Sequence, residues 1–108
     1  MSRSGTVATF WALSDPVRHD ILEQIATGSN VTVTQLADAL PITRQAIARH
    51  LKTLEDAGLV AGEKQGREQR YRVDPVPLDA AGRWLHSRAA AWDRTLERLA
   101  RYVETDND

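Results

Sequence analysis

The sequence predicts a mostly α-helical domain carrying one small β-hairpin. Three observations predict it. Several stretches before residue 58 place apolar residues at helical spacing between recognisable capping residues. From Leu59 to Val73 the apolar period switches to two, around a turn that contains Gly66. From Leu78 to Val103 apolar positions recur four and three apart without a break. Four helices, of which the third and fourth are tightly joined, then two strands, then a long helix, is the order of a winged helix-turn-helix.

The elements follow in order. "TVATFWAL", residues 6–13, is a short helix with Val7, Phe10 and Trp11 as its apolar content. In "SDPVRHDILEQIATG" either Ser14 or Asp15 can cap, Pro16 fits a first turn and Gly28 stops the helix. Ile21, Leu22 and Ile25 there have the spacing of a core face. Thr32 followed by Gln35 is a capping-box pattern, with Leu36, Ala37 and Leu40 as a narrow apolar stripe before Pro41. Thr43 caps the next helix after only about three residues, so the pair must cross steeply. That second helix runs to about Ala57, and Gly58 supplies its C′ residue.

Leu59–Lys64 and Gln69–Val73 read as strands around a turn at Gln65–Glu68, with Tyr71 and Val73 on one face and Arg70 and Arg72 on the other. Asp74-Pro75-Val76-Pro77 reads as a stiff linker, because proline disfavours helix. The last helix is expected over 78–103. A helix of roughly 26 residues spans about 39 Å, which outruns so small a domain. Its seam and the first helix are therefore expected to form a homodimer interface. The expected contributors are Val7, Phe10, Trp11, Leu78, Trp84, Leu85, Ala89, Trp92, Leu96 and Leu99. The whole is one domain over 1–108: helix-turn-helix at 32–57, wing at 59–73, dimerisation helix at 78–103.

Composition narrows the function. With 108 residues and no cysteine, disulfide frameworks and thiolate metal sites are excluded. No apolar run approaches the roughly 20 residues of a membrane span, and residues 1–5 do not resemble a signal peptide. A cytoplasmic protein is expected. Net charge is −1, but residues 41–72 hold seven basic and four acidic side chains while both flanks are net acidic. A basic middle is the footprint of a polyanion partner. The three histidines lie apart, without ligand spacing, and no phosphate loop or nucleophile motif occurs. Neither a metal, nor a cofactor, nor catalysis is expected.

On a wheel of ~100° per residue, Leu51 and Leu54 fall within about 40° of Ile47, while Gln45, Arg49 and Lys52 fall opposite. Such a face is often plain solvated surface. Here it belongs to the second helix of a helix-turn-helix, the one that enters a major groove. Gln and Arg can pair bidentately with adenine and guanine edges. Thr43, Gln45 and Arg49 are expected at base edges. Thr32 or Thr34 and the wing residues Lys64, Arg67 and Arg70 are expected at phosphates or a minor groove.

These motifs together resemble the ArsR family of winged helix-turn-helix transcriptional regulators. "LSDPVRHDIL" is similar to the family's signature on the second helix, "TVTQLADALPITRQAIARHLKTLEDAGLV" to its helix-turn-helix and "KQGREQRYRVD" to its wing. The resemblance implies a homodimer joined by first and last helices, bound to a palindromic DNA operator and usually repressing transcription. Thr43, Arg44, Gln45, Ala48, Arg49 and His50 match the family's recognition face, Arg67 the wing arginine and Arg18 the signature arginine near the DNA backbone. Many members sense metal through cysteines near the recognition side or Asp and His residues on the last helix. This chain has neither pattern and looks like the metal-independent branch. The rival expectations are a metal- or ligand-sensing repressor using His86 and carboxylates, and a winged-helix module that binds protein.

Overall fold

Side-chain caps set most of the helix boundaries. In a computed structural model, which describes residues 2–28 and 30–106, α1 spans Ser2–Ala12 and α2 spans Pro16–Thr27. The Asp15 carboxylate caps α2 by accepting from the N–H of Val17 at 2.8 Å and of Arg18 at 3.2 Å. A two-residue strand, β1 (Val31–Thr32), leads directly into α3 (Val33–Ala39). The expected capping box is present: Gln35 N–H donates to the Thr32 hydroxyl, and Thr32 N–H to the Gln35 side chain.

Helix α4 (Arg44–Asp56) is capped by Thr43, whose hydroxyl accepts from Ala46 N–H at 3.1 Å. At its other end Gly58 takes φ +77°. There Leu59 N–H donates to Leu54 carbonyl and Gly58 N–H to Glu55 carbonyl, the Schellman arrangement that only a left-handed C′ residue permits. Strands β2 (Val60–Gln65) and β3 (Glu68–Val73) form the wing, and α5 runs Pro75–Asp106. Gly66, at φ +65°, opens the two-residue loop between the strands.

The sheet has three antiparallel strands in the order β1-β3-β2, with Val31 opposite Tyr71 and Val60 opposite Val73. The core joins α2, α3 and α4 to it. Ile21, Leu36, Ile47, Leu51, Leu54 and Leu59 are its largest fully buried apolar side chains. Ile25 is buried beside them, while Leu22, Ala37 and Leu40 pack partly against the cluster. Tyr71 joins it from β3, and burial, followed by the charge of Glu55, raises the pKa of its phenol.

Four expectations need correction. The wing is not a lone hairpin, because β1 adds a third strand. The first helix begins at Ser2 and not near residue 6. Pro75–Pro77 is not a linker but the first turn of α5. First-turn N–H groups have no partner within a helix, so proline there forfeits no hydrogen bond. Asp74 caps the turn by accepting from Val76 N–H at 3.1 Å. Leu78 belongs to this chain's own core rather than to an outer seam.

Helix α5 leaves the body. The radius of gyration is 19.6 Å and the long axis 73 Å, against about 13 Å for the radius of a compact domain of this length. Along it Leu85, Trp92, Leu96, Leu99 and Val103 are exposed, as are Val7 and Trp11 of α1. Ala89 is exposed among them. Trp84 is exposed as well and meets Phe10 within the chain, edge to face with centroids 5.7 Å apart. No helix among the described residues is long and apolar enough to cross a membrane.

Candidate nucleic-acid interface

The candidate interface is built on α4. Ile47, Leu51 and Leu54, at most 1% exposed, fix the helix against the core. The opposite face must then point outward. Arg44, Gln45, Ala48, Arg49 and Lys52 are all exposed along it. Lys52 pairs with Asp56 at 3.6 Å, one turn on. Such an exposed pair is worth little and opens readily. The side chains of Arg44, Gln45 and Arg49 join no hydrogen bond or ion pair among the described residues. Their donors face water, ready for a partner. Thr43 is exposed at the helix start, and Thr34 is exposed in the first turn of α3.

The wing contributes Lys64 near the end of β2 and Arg67 in the loop, both exposed and outside the ion pairs of the described residues. Arg72, which sequence reading did not single out as a contact, is also exposed on β3. It lies two residues from Arg70 on the same face, and that alternation was the signal that could have found it.

Three expected contacts are engaged elsewhere. Arg18 is buried between α1 and α2: its Nε donates to Ala12 carbonyl at 2.6 Å and its Nη2 to Trp11 carbonyl at 3.2 Å. Its Nη1 lies 3.8 Å from the Asp15 carboxylate. A guanidinium held this way is a brace inside the fold, not a phosphate contact. Arg18 sits three and seven residues before the core residues Ile21 and Ile25, so its helical position already pointed inward. Thr32 is likewise buried, its hydroxyl committed to the cap. Arg70 is half-buried and bonds Asn30 carbonyl at 2.9 Å and the Glu68 carboxylate at 3.0 Å. It ties the wing to the loop before β1.

His50 is half-buried at the edge of the reading face. It lies near enough to Asp15 for its charge to act on that carboxylate. The Arg18 N–H, above all, holds the Asp15 pKa down; Val17 N–H, the Arg18 charge and the His50 charge add to this, against partial desolvation. No group of three or more His, Asp or Glu side chains suited to a metal occurs among the described residues.

Residues 13–63 match the model of a helix-turn-helix domain family. Over 97 residues the chain is 35% identical to the HTH-type transcriptional regulator Rv2034 of Mycobacterium tuberculosis, covering 90% of this chain and 87% of that one. Among solved structures, an ArsR-like transcriptional regulator from Rhodococcus sp. RHA1 superposes with a TM-score of 0.87 at 38% identity, covering 94% of this chain and 93% of that one. The homodimeric winged helix-turn-helix DNA-binding domain Mb0332 of Mycobacterium bovis shares the fold, with a TM-score of 0.63 at 24% identity over 88% of this chain and 84% of that one.

Proposed function

Because the chain belongs to the ArsR family of winged helix-turn-helix transcriptional regulators, we propose that it is a homodimeric, sequence-specific DNA-binding repressor. One observation carries the reading: the outward face of α4 presents Arg44, Gln45 and Arg49 with unused donors, on a helix whose inward face is locked into the core. Bidentate Arg and Gln donors suit guanine and adenine edges in a major groove. An apolar docking face for a protein would not be made of these side chains.

In the mechanism, Thr43, Gln45 and Arg49 approach base edges, with Arg44 and Ala48 beside them and His50 and Lys52 at the margins. Thr34, Lys64 and Arg67 hold phosphates and set the register. Arg18, Thr32 and Arg70 act indirectly, by fixing α2, α3 and the wing. The exposed apolar stripe of α5 with Val7 and Trp11 of α1 is the homodimer seam, in which Trp11 is 63% and Trp92 61% exposed. A two-fold dimer carries two reading helices, so its operator is a palindrome with half-sites about one turn, 34–36 Å, apart. Seated across a promoter, the dimer blocks polymerase by occupying the site.

Selection from a random duplex pool by the purified protein tests this. Enrichment of a palindrome with that spacing is expected. A selected pool with no shared sequence would overturn the reading.

A further inference from the structure

The whole wing separates α4 from α5 along the chain, yet the end of one helix lies beside the start of the other. Strands β2 and β3 fold back on each other, with Val60 opposite Val73. Just beyond that pair the N–H of Asp74 donates to the Leu59 carbonyl at 2.9 Å. The hairpin thus returns the first turn of α5 to the last turn of α4. Pro77 of that turn faces Gly58: a methyl group on the Gly58 Cα would meet the Pro77 Cγ at 3.7 Å. Both sides of this joint are stiff. Gly58 is held at φ +77° by the Schellman bonds that close α4. Pro75 and Pro77 fix their own φ, and the Asp74 carboxylate accepts from Val76 N–H at 3.1 Å. Leu59, Val60 and Ala81, on either side, are buried.

We propose that the Gly58–Pro77 joint sets the half-site spacing that the protein accepts. The inference rests on the dimeric, DNA-reading function proposed above. Helix α4 belongs to the reading body, and the outer half of α5 belongs to the seam. The angle between them fixes how far each reading helix stands from the two-fold axis. Fifteen residues separate Pro77 from Trp92, about 22 Å of helix. Over that lever a tilt of about 9° displaces Trp92 by about 3.4 Å, the spacing of successive phosphates along one strand. A dimer that rejects spacings wrong by one base pair must therefore hold this angle closely. Helix α1 braces α5 farther on, where Phe10 meets Trp84; the joint ties α5 to the end of the reading helix itself. Asp74 and Pro77 are positioning residues, acting through the direction of α5.

Anisotropy titrations of the full chain use the palindrome selected from the random pool, and the same palindrome with its centre lengthened or shortened by one base pair. A duplex with a single half-site is the control. Wild type is expected to lose at least tenfold on either altered spacing. Pro77→Gly should cut that discrimination at least threefold, at unchanged affinity for the single half-site and unchanged dimer mass by light scattering. Asp74→Ala, which removes the cap of the first turn, should act in the same direction, while Asp74→Asn, which keeps an acceptor there, should not. The Asp74 pair carries the test alone if Pro77→Gly does not fold. Wild type that binds all three spacings equally would overturn the proposal. So would full discrimination in the loosened variants, or a loss equal on every duplex, which is what plain destabilisation gives. Failure to select any palindrome sinks the DNA-reading function and this proposal with it, whereas strict spacing in wild type and variants alike sinks the joint alone.

Discussion

The Arg18 guanidinium lies 5.1 Å over the Trp11 ring and donates to the carbonyl of that same residue at 3.2 Å. One side chain of α2 thus clasps both the ring and the backbone at the end of α1. With the 2.6 Å bond to Ala12 carbonyl, it satisfies acceptors that α1 leaves open at its C-terminus. Removing it strands the Ala12 carbonyl, while the Trp11 carbonyl keeps the N–H and hydroxyl of Ser14. Arg18→Ala is expected to cost about 2–3 kcal/mol, read as a lower urea midpoint at unchanged slope. The folded variant should keep the salt dependence of DNA binding, since no phosphate contact is lost. A salt slope reduced by about one charge would return Arg18 to the DNA surface.

Asp15 gives a pH dependence. Its folded pKa lies below the ordinary 3.8, chiefly through the Arg18 N–H. A depressed carboxylate stabilises the fold above its unfolded pKa, and that contribution drains as pH falls through the lower folded value. Asp15→Asn should therefore lower the melting temperature at pH 7, with a gap to wild type that closes below about pH 4. A gap that stays constant down to pH 2 would refute the assignment.

Trp92 of α5 is 61% exposed. Trp92→Asp places a charge where two copies are expected to meet, and an unpaired buried charge is strongly unfavourable. Light scattering should report a monomer. A persisting dimer would move the interface off α5.

Arg67 sits at the wing tip. Arg67→Ala should weaken binding to all duplexes about equally and lower the salt slope by roughly 0.9 for one lost phosphate contact. A loss confined to one sequence would make it a base reader.

What was legible in the sequence was local. Asp15, Thr32, Thr43 and Gly58 each act on backbone groups within a few residues, and all four terminate helices as their chemistry requires. The amphipathic split of α4 was legible for the same reason. Strand β1 was not, because Val31 and Thr32 are ordered by Tyr71 and Arg70 some forty residues on. Pro75 and Pro77 misled because proline's penalty depends on helix position, and the first turn is exempt. Arg18 and Arg70 misled in another way: charge says nothing of whether a guanidinium faces solvent or a carbonyl. The Phe10–Trp84 contact was not legible either, because 74 residues of chain separate the two rings.

Anisotropy titration of the selected palindrome and a scrambled duplex, at one fixed salt concentration, compares wild type with Arg49→Ala. The variant should lose about 1–3 kcal/mol on the palindrome, keep its affinity for the scrambled duplex, and discriminate less at one position of each half-site. Unchanged affinity for both duplexes would mean that the outward face of α4 does not read DNA.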